Sequence, residues 1–274
     1  MRLAWRSIRL LQRAVHLWLF GYLLSALPAA EWLWDFPVVP PLPPPPGLLS
    51  PLTHAFSTWL PQAFAIPSVL LLLVLALRGV FARSYWWITL LEWVLFSGLM
   101  NLAWLAASGG HQLIANVLFW MIFLPGKEPL EVAGKVTATR VMHTSAFWII
   151  RFQLLLAYAV TGIQKLSGSY WISGEAVRIV STDADYGPAF IAALPFVGIV
   201  VNYGVLLFQL TFPLAVWRSD TRSWWMWAGV FFHLLTGITF GILDMGTAFL
   251  AVYPVWFGGP SRVEAHPEFN MRSS

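Results

Sequence analysis

Polar and apolar positions alternate here on the scale of whole segments. Apolar runs begin at about Val15, cover Ile66 to Ala82, Trp86 to Ala107, His111 to Leu124, Ala146 to Ile163, Pro195 to Trp217 and Trp224 to Leu243, and close with a short run from Met245 to Phe257. Runs of this length satisfy their backbone internally as helices and are long enough, or nearly so, to cross the ~30 Å hydrocarbon layer of a bilayer. The pattern predicts an all-α polytopic membrane helical bundle of about eight transmembrane helices, some short or re-entrant. Pro37 to Pro46, PVVPPLPPPP, lacks the N–H donors a helix needs and reads as an extended polyproline loop. Part of Leu48 to Gln62 is expected as a short re-entrant or interfacial helix.

The positive charges give this pattern a direction. Arg2, Arg6, Arg9 and Arg13 precede the first run, Arg78 and Arg83 end the second, Lys127, Lys135 and Arg140 fall in one loop, and Arg218 and Arg222 end the sixth. Basic residues concentrate in cytoplasmic loops, so these loops and both termini are expected inside. The proline stretch and the Ser167 to Gly187 loop, with Glu175, Asp183 and Asp185, are expected outside. The reading is of a single domain over 1–274, with a Pro-rich external loop at 35–64 and a short cytoplasmic tail at 259–274.

Composition narrows the chemistry. Of 274 residues 58% are hydrophobic and 10% charged, against about 25% charged in soluble domains. With no cysteine, thiolate metal sites and a thiol nucleophile are excluded, so redox chemistry would belong to a substrate or cofactor. The net charge of +4 sits at loop edges and points away from nucleic acid as a partner. The chain contains no phosphate loop, dinucleotide fingerprint, HExxH or nucleophile elbow. The histidine and acid spacing matches no ligand pattern, so no metal is expected. The GITFG stretch with Gly237 and Gly241 is a small-residue packing pattern, and without an internal repeat or a series of intramembrane charges transport finds little support.

Ionisable residues within apolar runs are the remaining candidates. Lys165 falls at the exit of the fifth run, beside Tyr158, Thr161, Gly162 and Gln164. An amine partly withdrawn from water can act as a base, whereas an amine at a span's edge can equally be an interfacial anchor. Glu92 and Asn101 in the third run call for a partner or a wet interior face. His111 and His233 divide between packing and site roles, whereas His16, His54, His143 and His266 lie near run boundaries and read as interfacial or solvated. Arg151 reads as an anchor for the start of the fifth span. Trp171 and Gly174 are expected to fix the outer loop against the membrane.

The stretch IIRFQLLLAYAVTGIQKLSGSYWISGEA, Ile149 to Ala176, has an arginine before the span, a glycine, a lysine followed by leucine, and then tryptophan and glycine. It resembles the vitamin K-dependent gamma-glutamyl carboxylase superfamily, whose bacterial membrane part is the horizontally transferred transmembrane (HTTM) domain. Phe231 to Phe257 is similar to the family's histidine-led span and the short span after it, and His111 heads a run as a histidine does in the carboxylase. The resemblance implies a bacterial inner-membrane protein, with the lipid bilayer and a lipid-soluble quinol as partners. It implies reduced vitamin K or another quinol as cofactor, Lys165 as base, His111 and His233 as further catalytic groups, and Trp171, Gly174 and Tyr158 as substrate contacts. Gln209 stands where many relatives carry an acid. The sequence ends soon after the last run, without the lumenal part that binds propeptide and glutamate-rich substrate in the carboxylase, so the membrane reaction half is the part expected to persist. The alternative is a noncatalytic membrane module that binds a lipid, quinone or protein.

Overall fold

The computed structural model describes residues 5–35, 60, 62–127, 137–183 and 185–257. The polyproline stretch, most of the Leu48 to Gln62 segment, His54, His266, Lys135 and the 259–274 tail lie outside the described residues. What is described is helical: α1 (Trp5–Ala26), α2 (Ala65–Phe81), α3 (Trp86–Leu102), α4 (Gly109–Met121), α5 (Ala138–Leu166), three short helices α6 (Ser169–Ile172), α7 (Ala176–Val180) and α8 (Ala189–Ala193), then α9 (Pro195–Ala215), α10 (Arg222–Thr239) and α11 (Leu243–Val252). A 3-10 turn, Tyr253–Trp256, ends the described chain. The eight long elements correspond one for one to the eight apolar runs.

Three of them, the α1 segment Trp5–Ala29, α5 and α9, are long and apolar enough to cross a membrane by themselves. At 1.5 Å per residue, 21-residue α9 is about 31 Å long, whereas 13-residue α4 reaches only about 20 Å. The short α4 and α11 are packed together, with α1 against α11 and the final turn. Short helices are tolerated at membrane depth where protein rather than lipid covers their ends.

Each helix buries one stripe. In α1 the buried positions Ile8, Leu11, Gln12, Val15, His16, Leu19 and Leu23 recur every three to four residues and meet α2. Leu10, Leu17 and Leu24 on α1, and Leu70, Val74, Leu77 and Phe81 on α2, are large apolar side chains left outside. A contiguous apolar exterior of this kind is a lipid-facing surface.

One expectation changes in this packing. His16 is not solvated: it is 1% exposed, its Nε2 stands 3.0 Å from Oε2 of the fully buried Glu92, and its Nδ1 is 2.5 Å from the Gln12 carbonyl. Glu92 thus has the partner that its place in an apolar run demanded, supplied by a residue 76 positions away. Gly79 lies against the His16 imidazole, which fills the space a Cβ would need. Arg151, expected as an anchor for the start of the fifth span, is buried inside the bundle. Its Nε donates to the Val255 carbonyl at 2.8 Å, and its guanidinium lies over Phe147, Trp148 and Trp256 at 4.7 to 4.9 Å, so it ties α5 to the final turn.

Candidate functional site

Near the end of the bundle where α5 closes lies a cavity of about 330 Å³, partly open to its surroundings. α5 contributes Tyr158, Thr161 and Lys165, which share one helix face because residues three, four and seven apart stack along it. α10 contributes Phe232, His233 and Thr236, α9 contributes Val205 and Gln209, and α11 contributes Met245 and Phe249. The segment after α5 roofs it with Trp171 and, from α7, Ala176, Val177 and Val180. Gly162 brings α5 and α9 together, since a Cβ there would meet Leu210 at 3.0 Å and Gln209 at 3.4 Å.

Lys165 is half-buried, and its Nζ lies 5.0 Å from the centre of the Trp171 ring. Among the described residues no carboxylate lies within ion-pair distance of it. The hydroxyls of Thr161 and Thr236 donate to backbone carbonyls one turn back, Ala157 and Phe232, both at 2.7 Å. Their protons are therefore engaged by their own helices. Oε1 of Gln209 and Nδ1 of His233 are buried without a protein partner, the state in which a polar atom is open to a ligand or water.

At the inner end the Tyr158 hydroxyl bonds His233 Nε2 and also the Tyr253 hydroxyl, the latter at 2.8 Å. Phe208, Phe212 and Phe249 surround the Tyr158 ring with centroids 4.5 to 5.6 Å away. Tyr253 was not among the sequence candidates. Its signal was a hydroxyl within the last apolar run, AVYPVW, which no local pattern connects to Tyr158.

The roof is held from α9. Asn202 Nδ2 donates to the Trp171 carbonyl at 2.9 Å, and the Tyr203 hydroxyl donates to the Ile172 carbonyl at 2.7 Å. Gly174 has φ +82°, a left-handed conformation that side chains rarely adopt, and its Cα faces Tyr203 and Ile199. Gly174 thus shapes the roof without lining the cavity.

The sequence candidates separate accordingly. Lys165, Tyr158, His233 and Trp171 line one cavity, and Gly174 supports it. His111 stands apart, among the rings of Trp18, Tyr22 and Phe96, with centroids 4.4 to 6.5 Å away. It occupies the third position of α4, where its Nδ1 accepts from the Ser108 backbone N–H at 2.9 Å while the Ser108 side chain caps in return. This is a capping box with histidine in the place usually held by Glu or Gln. Its Nε2 is 3.7 Å from Asp244. Among the described residues no group of three histidines or acids is placed to hold a metal ion.

The architecture is that of a helical membrane bundle with a lysine-bearing cavity near one end. The HTTM domain model matches residues 49–258, and the chain belongs to that family. No curated protein and no solved structure matches it.

Proposed function

We propose that the cavity binds a lipid-soluble quinol, reduced vitamin K or a related hydroquinone, and that the chain is a carboxylase-like membrane enzyme with Lys165 as its base. The supporting observation is the convergence of an amine lacking a carboxylate partner, the imidazole of His233 and the phenol of Tyr158 on one largely apolar space under an aromatic roof. At about 330 Å³ it falls at the lower end of small-molecule sites, enough for a two-ring head group whose isoprenoid tail would remain in lipid. When bound, such a quinol supplies electrons for oxidation by oxygen. In its neutral form Lys165 accepts the hydroxyl proton, and the resulting ammonium is held over the Trp171 ring. Gln209 and His233 offer unpartnered polar atoms for the oxygens of the head group. Trp171 and α7 cover one side of the cavity, and withdrawal of the head group from water there strengthens each of these interactions.

A second reading, a noncatalytic module that binds a lipid or quinone, is favoured by the Lys165 and Trp171 stacking itself, which is also how an interfacial anchor is built. Lys165→Arg separates them, because arginine keeps the charge and the stacking but gives up no proton at accessible pH. The purified protein in nanodiscs, given reduced vitamin K, oxygen and labelled bicarbonate, is expected to consume quinol at a rate that rises with pH as the amine loses its proton. Lys165→Arg should insert normally and lose activity by about a hundredfold or more, the scale of general base catalysis. Full activity in the arginine variant would remove Lys165 as base. Quinone that co-purifies with a parent protein lacking turnover would establish the binding module instead.

A further inference from the structure

The lysine cavity is not the only opening that reaches the bundle interior. A second cleft, of about 300 Å³, lies between the start of α10 and the final 3-10 turn, and Ser219, Arg222, Ser223 and Tyr253 line it. Lys165 ends α5 whereas Arg222 begins α10, and His233 lies eleven residues along α10 from Arg222, so the two openings approach the interior from opposite ends of the helices. They meet at Tyr158. Its hydroxyl is bonded to His233, which lines the lysine cavity, and to Tyr253, which lines the cleft. All three side chains are buried, and their neighbours are phenylalanine rings.

Two details argue that this thread is more than mutual satisfaction of buried polar groups. His233 lines the lysine cavity, and its Nδ1, the end of the hydrogen-bonded chain, has no protein partner among the described residues. At the other end, the Tyr253 hydroxyl occupies the space where a Cβ of residue 229 would stand, so it reaches Tyr158 only because that residue is glycine. Phenylalanine at 253 would pack against Phe212 and His233 without this requirement.

We propose that His233, Tyr158 and Tyr253 form a proton path joining the lysine cavity to the Arg222 cleft. A proton arrives at His233 Nδ1 as the Nε2 proton passes to the Tyr158 oxygen. The Tyr158 hydroxyl proton passes to the Tyr253 oxygen, and the Tyr253 hydroxyl proton leaves to water in the cleft. Hydroxyl rotation and a return of the imidazole to its first tautomer reset the chain. One proton has crossed, and no group has gained or lost charge. Conduction stands on the geometry alone; its use to clear the proton taken up by Lys165 in turnover rests on the quinol reading above.

The two are tested separately. In proteoliposomes without quinol, clamped with potassium and valinomycin, the parent should carry a proton flux at least tenfold above that of Tyr253→Phe at equal protein density. Tyr158→Phe, which breaks the middle link, and Gly229→Ala, which displaces the last hydroxyl, should fall to the same low flux. Melting temperatures within a few degrees of the parent identify the variants that remain folded, and Tyr253→Phe and Tyr158→Phe, which lose a single oxygen, serve as each other's control. Equal flux in the parent and both folded phenylalanine variants overturns the path. With quinol, the parent should release protons on the Arg222 side, and Tyr253→Phe should shift that release to the Lys165 side. Absence of quinol oxidation in the parent would count against the proposed reaction, whereas the path itself stands or falls on the flux comparison.

Discussion

His111, which a sequence resemblance offers as a catalytic group, has a structural part in the fold. Its imidazole closes the capping box of α4 with Ser108 and packs under Tyr22 at 4.4 Å between centroids, outside the lysine cavity. A cap of this kind is worth about 1 kcal/mol, and glutamine is one of the two residues that usually fill the same position. His111→Gln should therefore keep stability and quinol oxidation close to the parent, whereas His111→Ala should lower stability by about 1 to 2 kcal/mol. Thermal unfolding in detergent, read beside turnover, checks this. Loss of turnover in a stable His111→Gln protein would return His111 to the chemistry. The Glu92 and His16 pair carries the complementary lesson. That an acid in an apolar run needs a partner was legible from cost alone, but which partner was not, because α1 and α3 come together only through packing.

Among the elements, the roof over the cavity is the one whose integrity the site depends on most. α6 is four residues long and α7 five, far too short to be stable in isolation, so α6 takes its position from α9 through Asn202 and Tyr203, and α7 packs against α9. Asn202→Ala removes a buried donor to the Trp171 carbonyl and should cost about 1 to 3 kcal/mol locally. We expect protease cleavage between Ser167 and Gly187 to accelerate in Asn202→Ala and in Trp171→Ala, with the long helices still intact. Unchanged cleavage in both variants would mean that the loop is held elsewhere. The long helices were legible, but α6 and α7 form in a stretch that reads as a polar loop, and helix ends were less legible still. α1 begins at Trp5 rather than near Val15, and α5 begins at Ala138, eight residues before its apolar run, with Thr137 accepting from the Arg140 N–H at 3.2 Å. Hydropathy marks the part of a helix that needs lipid, whereas capping and amphipathic burial decide where the helix itself starts.

For the molecule as a whole, the site was legible where chemistry is local and hidden where it is tertiary: Lys165 and Trp171 are six residues apart and could be paired by eye, but Tyr158, His233 and Tyr253 come from three separate elements. Orientation in the membrane can be argued from both levels. α9 is apolar and about 31 Å long at 1.5 Å per residue, which matches the hydrocarbon thickness, and only the short α6 to α8 stand between it and Lys165. The turn that follows carries Arg218 and Arg222, and the loop before it carries Glu175, Asp183 and Asp185, so the arginine turn is expected inside and the roof outside. Because the chain has no cysteine, single cysteines report without background. Ser169 and Ser219 are both exposed, and cysteine differs from serine by one atom. Ser169→Cys should react with an impermeant maleimide in intact cells, and Ser219→Cys only after permeabilisation. The reverse result would invert the molecule and place the lysine cavity on the cytoplasmic side, and labelling of both positions in intact cells would mean that α9 does not cross.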